Sequence, residues 1–364
     1  MARARKPSNL DAQLEQWAAA IVDDPASFKG RWKQSFFPDA REVRLDLGCG
    51  KGAFLARSAK ANPEVLYIGM DIDSTCVARC AKKAILEELP NMVVARADAA
   101  CLLEFFEPGE LSLIHLNFNA PYPPKKMAAR RLTHIDHLSR YRTILGETGR
   151  IELRTDNMPY WKWSLEELRI AGYHIDWRCE DLHGAMRELA EKRARVEVAR
   201  SEDRKQAKTE ASSQPFNEPS AEAKLQLGEA ALTIHHENFV RSEYDEKLVE
   251  KGAVVYSLIA HPGPAPAEME QTTKLGLVDY LPEDLDTLEH IPYGMEDTIF
   301  NMRNRKKNAR EAQARRAWWE RKYKSKRSTA AKGSKSGTKG VSCNKHENAS
   351  APRANANVSP TDNK

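Results

Sequence analysis

Over the first 180 positions, short apolar runs are separated by segments with helical spacing. Five runs have the pattern of buried strands: VRLDL (43–47), VLYIGMD (65–71), VVARA (93–97), LSLIHLNF (111–118) and RIELRT (150–155). Between them, AFLARSAKAN, STCVARCAKKAILEEL, AACLLEFFE and THIDHLSRYRTIL place apolar side chains three and four residues apart, on one helix face. Strand–helix alternation with short connections predicts an α/β fold with a doubly wound, Rossmann-like parallel sheet. A further helix, PYWKWSLEELRIAG, has Pro159 at its start, where a missing N–H costs nothing, and leads to a sixth strand around HIDWRCE.

The pattern stops from about 185 to 238. This charged insertion is rich in Ala, Glu, Lys, Arg and Ser, and is expected to be partly helical and partly disordered around SSQPFNEPS. It resumes with SEYDEKL (242–248) and the strand run AVVYSLIA (253–260). The predicted organisation is an N-terminal arm and helix over 1–40, an α/β domain over 41–262, an acidic Pro-rich linker over 263–300 and a basic tail over 301–364. The tail is expected to be helical to about Arg327 and disordered beyond.

Charge sharpens that division. Residues 301–364 carry 18 Lys/Arg against 4 Asp/Glu, whereas the first 300 carry 39 against 48. An acidic body with a basic tail points to a polyanionic partner. The six cysteines form no CxxC pair, which fits reduced thiols in the cytoplasm. No apolar run reaches membrane-spanning length, and MARARKPSNLD lacks the apolar stretch of a signal peptide. No metal site is expected, and His235-His236 has the look of a surface pair. Monomer and homodimer both remain open.

The chemistry concentrates at strand ends. LDLGCGKGAF sets Gly48, Gly50 and Gly52 after Asp46 at the end of the first strand, where backbone must turn sharply and approach a ligand. It is not a phosphate loop, because Lys51 is not followed by Ser or Thr. Asp71 ends the second strand, where a carboxylate can accept both hydroxyls of a ribose, and Asp98 with Ala99 follows the third, near an adenine edge. Asp73 and Ser74 have the character of a helix cap. Ribose binding alone fits NAD and S-adenosylmethionine equally. Taken with the fourth-strand end, LNFNAPYPPKKMAARRL (116–132), it favours S-adenosylmethionine. There Asn119 and Tyr122 face the ligand crevice, the prolines stiffen the loop, and Lys125, Lys126, Arg130 and Arg131 supply phosphate-binding charge.

MARARKP, FKGRW (28–32), LDLGCGKGAF, LNFNAPYPPKKMAARRLTH, RTDN (154–157), DLH (181–183) and SEYDEKL resemble, in order, the bacterial tRNA (guanine-N7)-methyltransferases over roughly 1–262. The resemblance implies a methyltransferase fold that moves a methyl group from S-adenosylmethionine to a variable-loop guanine of tRNA, position 46 in tRNA numbering. It implies cofactor binding by Asp46, Gly48, Gly50, Gly52, Asp71, Asp98, Ala99 and Asn119. It also implies contacts to tRNA by the Asn119–Arg131 segment, Thr155, Asp156, Ser242, Glu243, Tyr244 and Asp245. Asn119, Asp156 and Glu243 are the expected catalytic set.

The chain departs from the family where F-x-D-P-W-P-K-K is usual: Ala120 replaces the Asp, Tyr122 the Trp and Pro124 the first Lys. Ser242 and Asp245 are conservative variants of Thr and Glu, and the extension past about Pro262 has no counterpart. Guanine N7 already carries an in-plane lone pair, so no proton has to leave before attack. Positioning, worth roughly 7–11 kcal/mol, then outweighs one lost electrostatic partner, worth about 2.7–4 kcal/mol. Ala120 is therefore expected to weaken the reaction without abolishing it. Two other functions stay open: a tRNA-binding relative without activity, and an amino-methyltransferase using Asn119-Ala120-Pro121-Tyr122. Finally, Arg303–Arg327 interleaves twelve Lys/Arg with Trp318, Trp319 and Tyr323, a mixture suited to looped or single-stranded RNA.

Overall fold

The structure, a computed structural model, describes residues 8–191, 194–195, 240–266, 273–288 and 290–332, with side chains to 323. Most of the expected 185–238 insertion, His235-His236 included, and the tail beyond 332 lie outside the described residues. The apolar runs form the middle of one eight-stranded sheet. Its strands are β1 (Ile21–Val22), β2 (Glu42–Leu47), β3 (Val65–Asp71), β4 (Met92–Arg96), β5 (Leu113–Asn117), β6 (Arg150–Thr155), β7 (Tyr173–Cys179) and β8 (Tyr256–Pro262). They lie in the order β1-β4-β3-β2-β5-β6-β8-β7. β1 to β6 pair in parallel, and β8 runs antiparallel between β6 and β7. This is the expected doubly wound α/β sheet.

Helices cover both faces of the sheet: α1 (Leu10–Gln16), α2 (Trp32–Phe36), α3 (Ala53–Ala61), α4 (Ser74–Leu86), α5 (Leu102–Phe105), α6 (Ile135–Leu145), α7 (Met158–Ile170) and α8 (Glu243–Glu250). Residues 182–191 are helical as well, and α9 (Glu296–Lys332) follows. Successive strand residues point to opposite faces. Leu66, Ile68 and Met70 of β3 therefore join a cluster with Trp32, Tyr141 and Trp163, while Val65 and Tyr67 join a second with Leu55, Cys80 and Ala84. Each such fully buried side chain contributes about 1.5–3 kcal/mol.

The N-terminal arm is tied to this core. Glu110 accepts from the backbone N–H groups of Gly30 at 3.0 Å and Trp32 at 3.3 Å, and Trp32 is wholly buried against Phe106.

Three features differ from the sequence expectation. β1 has two residues, too few to show any periodicity. β8 separates β6 from β7, because a buried apolar run fixes neither the direction nor the partner of a strand. The segment expected as a linker is part of the core: Leu277, Met295 and Ile299 are buried in the Trp32 cluster, and Leu285 is buried as well. Its backbone is anchored at Thr273, which donates to Glu167 at 2.7 Å, and at Tyr293, whose carbonyl accepts from Asn157 at 3.0 Å. The chain forms two compact units, Met1–Arg303 and Asn304–Lys364. No described helix is long and apolar enough to cross a membrane.

Candidate active site

The sheet's connectivity places the site. From β2 the chain winds outward to β3 and β4, then returns to β5 on the other side of β2. Open α/β sheets bind ligands outside the carboxyl ends of strands at such a reversal. A cleft of about 380 Å³ lies there, lined by the glycine turn, Asp46, Asn117, Phe118, the start of α8 and Tyr293.

The turn after β2 folds back on β3, with Gly48 and Cys49 both donating to the Met70 carbonyl at 2.8 and 3.1 Å. All three glycines have positive φ, of 79°, 54° and 73° in chain order. At two of them a Cβ would collide with protein: at Gly48 it would stand 2.5 Å from Asn119 Nδ2, and at Gly52 2.4 Å from Cys80 Sγ. A Cβ on Gly50 would meet nothing within 4 Å. Gly50 N donates to Asp71 Oδ2 at 3.0 Å, and Asp71 Oδ1 accepts from Asp73 N at 2.9 Å. Burial raises the Asp71 pKa despite these bonds. Asp98 is exposed just past the end of β4 and caps the turn that follows by accepting from Ala100 N, while Ala99 is buried. Asp73 caps α4, as expected.

Asp46 forms part of the cleft wall and is buried. Burial raises its carboxyl to about 7, with a 3.4 Å hydrogen bond from Asn117 opposing the shift. Asn119 is buried and donates to the Leu47 carbonyl at 3.0 Å, so it ties the ends of β2 and β5 together. Its Oδ1 is buried without a hydrogen-bond partner. That geometry makes it a strut under the glycine turn rather than a group facing a base.

The loop after β5 separates neighbouring cations. Lys125, Lys126 and Arg130 are exposed, and the Arg130 guanidinium lies 4.5 Å from the Tyr122 ring centre. Arg131, expected to grip phosphate, is fully buried instead. It donates to the carbonyls of Pro121 at 2.9 Å, Tyr122 at 2.9 Å and Pro123 at 3.3 Å, and lies over Trp163. Phe118 and Tyr122 both take positive φ, 50° and 44°, unusual for side chains of their size. Arg131 is the clamp that holds that backbone.

Four expected substrate contacts are likewise engaged by the fold, Ser242 while still lining the cleft. Thr155 is buried and accepts from Asn157 N, at the cap of α7. Ser242 and Asp245 form a reciprocal capping box at the start of α8, with Asp245 buried. Asp156 is buried too, and its Oδ2 faces the Tyr244 hydroxyl at 3.3 Å, His290 Nε2 at 3.1 Å and Tyr293 N at 3.3 Å. Burial raises its pKa while His290 opposes the rise. Asp156 therefore positions Tyr244 and Tyr293 rather than meeting a base itself. The capping box frees Glu243 to line the cleft, half-exposed and 3.6 Å from Lys83.

Sequence reasoning missed Asn117, Phe118, His290 and Tyr293. Phe118, Tyr244 and Tyr293 form an edge-to-face series at 4.9 and 5.8 Å along the cleft. This gives a planar ring an apolar wall opposite the glycine turn. Among the described residues no cluster suited to a metal ion occurs, and five cysteines are free thiols.

A family model described as "Putative methyltransferase" matches residues 40–218. The tRNA (guanine-N(7)-)-methyltransferase of Limosilactobacillus reuteri (strain DSM 20016) is 42% identical over 163 residues, covering 45% of this chain and 76% of that protein. The enzyme of that name from Streptococcus uberis (strain ATCC BAA-854 / 0140J) is 35% identical over 183 residues, covering 50% and 86%. A 30S ribosomal A1408 methyltransferase from an uncultured bacterium is 13% identical with a TM-score of 0.37, covering 66% of this chain and 95% of that one. That last likeness is too distant to carry any argument about the site.

Proposed function

We propose methyl transfer to tRNA as the work of this cleft, because the chain belongs to the tRNA (guanine-N7)-methyltransferase family. The methyl group passes from S-adenosylmethionine to guanine N7, and the proposed target is the variable-loop guanine at position 46 in tRNA numbering. The observation that supports this most is the open space above Gly50, in the cleft that the aromatic wall also lines. A β-carbon on Gly50 would meet no protein, which leaves the backbone open to close approach by a ligand. The carboxylates near the glycine turn suit that donor chemically: in this reading Asp71 accepts from the ribose hydroxyls, Asp98 meets the base edge and Asp46 pairs with an ammonium group.

When bound, the donor supplies an electrophilic methyl on a sulfonium. The protein's own share is orientation and charge. Phe118, Tyr244 and Tyr293 hold the guanine plane, and Glu243 accepts from its N–H edge, offsetting the positive charge the ring gains on methylation. Lys125, Lys126 and Arg130 carry the phosphates. Asn119, Asp156, Ser242, Asp245, Thr155 and Arg131 hold these groups in register.

The test is to incubate the full chain with tRNA and methyl-labelled donor and to map the labelled atom. Label at guanine N7 is expected. Label on an exocyclic amine, or donor binding without transfer, would overturn the proposal.

Two further outcomes follow. Burial holds Asp46 at about 7 and an α-ammonium loses its proton near ~8, so donor affinity should strengthen as pH rises from 6 to about 7.5. Titration calorimetry across that range should show this dependence flatten in Asp46→Asn. Ala120→Asp restores the family carboxylate at a half-buried position, where partial solvation limits its effect. A gain of about tenfold in kcat is expected, below the roughly 100-fold of a fully desolvated partner.

A further inference from the structure

The second unit carries a feature the cleft does not use. On α9, Trp318, Trp319 and Tyr323 are 50%, 49% and 53% exposed, yet they are ordered against one another. Trp319 and Tyr323 stack at 5.1 Å and 12°, and Trp318 stands edge-on to Trp319 at 5.2 Å. Lys322 Nζ lies 4.4 Å from the Trp318 ring centre and 5.7 Å from that of Trp319. At about 100° per residue, these four side chains and Arg315 share an arc of about 140°.

Two classes of partner compete for such a face. A protein groove would need an apolar stripe, but residues 303–327 contain no Leu, Ile, Val or Met. The same span has twelve Lys/Arg against Glu311 and Glu320, and Glu320 is already paired with Arg316 at 3.5 Å. Exposed aromatic side chains in a span so rich in Lys and Arg suit a chain with flat bases and a phosphate at every step.

We propose that this face of α9 is a platform for unpaired RNA, with bases stacked on the aromatic array and phosphates held by Arg315 and Lys322. Trp318 to Tyr323 spans roughly 7–8 Å of helix axis, room for about two or three bases at ~3.4 Å each. Duplex RNA hides its base faces and would meet only the charge. The proposal is independent of methyl transfer at the cleft.

The test uses the full chain, a short single-stranded oligoadenylate and an RNA duplex with the same number of phosphates. For W318A/W319A/Y323A, fluorescence anisotropy should show single-strand affinity falling roughly 10–100-fold and duplex affinity by less than about threefold. Trp318→Phe with Trp319→Phe keeps two aromatic faces and should retain most of the single-strand binding. Arg315→Gln with Lys322→Gln should lower the slope of log K against log salt by about 1.4 for the single strand. Equal losses on both RNAs, or no loss on the single strand, would overturn the proposal. So would binding of an acidic peptide at this face with RNA affinity unchanged.

Discussion

Arg131→Met should cost the folded protein about 2–4 kcal/mol and cut methyl-transfer efficiency by at least roughly 100-fold. The side chain is wholly buried and reaches three carbonyls in a row, those of Pro121, Tyr122 and Pro123. Burial lowers the guanidinium pKa to about 10, so the charge stays in place at neutral pH but is held at a cost. Methionine fills similar volume against Trp163 and leaves those carbonyls without a donor. The loop that carries Tyr122 at positive φ then loses its clamp, and with it the phosphate-facing side chains of Lys125, Lys126 and Arg130. Denaturant midpoints and kcat/KM on tRNA read the two effects separately. Arg130→Met, one residue away and exposed, should change the unfolding free energy by no more than about 0.5 kcal/mol. Full activity in Arg131→Met would mean that the prolines alone set the loop.

Gly48→Ala should weaken donor binding by at least roughly 30-fold, equivalent to about 2 kcal/mol. At φ 79° a β-carbon costs about 1–2 kcal/mol in backbone strain alone. It would also press to 2.5 Å on Asn119 Nδ2, breaking the bond from that amide to Leu47 and parting the two strand ends. Gly50→Ala is the informative contrast. Its β-carbon touches no protein, so stability should fall by the strain alone while it intrudes on the space assigned to the donor. Calorimetric donor titration beside thermal melts should show lost affinity in both variants, with the larger loss of stability in Gly48→Ala. Equal melting shifts in the two would remove Asn119 from the argument.

Much of the fold is legible in the chain because short strand-like apolar runs alternate with segments of helical spacing and the glycine turn sits at a strand end. The ligand crevice follows from those two facts. What was not legible is which polar residue serves the ligand and which serves the fold. Arg130 and Arg131 are identical in type and adjacent, and only the folded loop distinguishes them, burying Arg131 over Trp163 and against three carbonyls. Ser242 and Asp245, spaced as S-x-x-D, carry a capping-box signature that competes with any base-facing role, and the fold takes the cap. Thr155 and Asn157, two residues ahead of Pro159, are a similar case. His290 and Tyr293 gave no signal, since an irregular Pro-rich stretch has no period from which burial can be inferred.

The position of β8 has a consequence for how the chain is made. Among the described residues β7 pairs with β8 alone, and β8 is also the outer neighbour of β6, yet it begins at Tyr256, long after β7 ends at Cys179. Translation at about 5–20 residues per second leaves roughly 4–15 s in which the nascent β6 edge is open and β7 has no partner. An open edge beside apolar helices invites pairing with another nascent copy. Slow or paused synthesis across the charged insertion should therefore lower the yield of soluble protein, even for a sequence whose finished fold is unchanged.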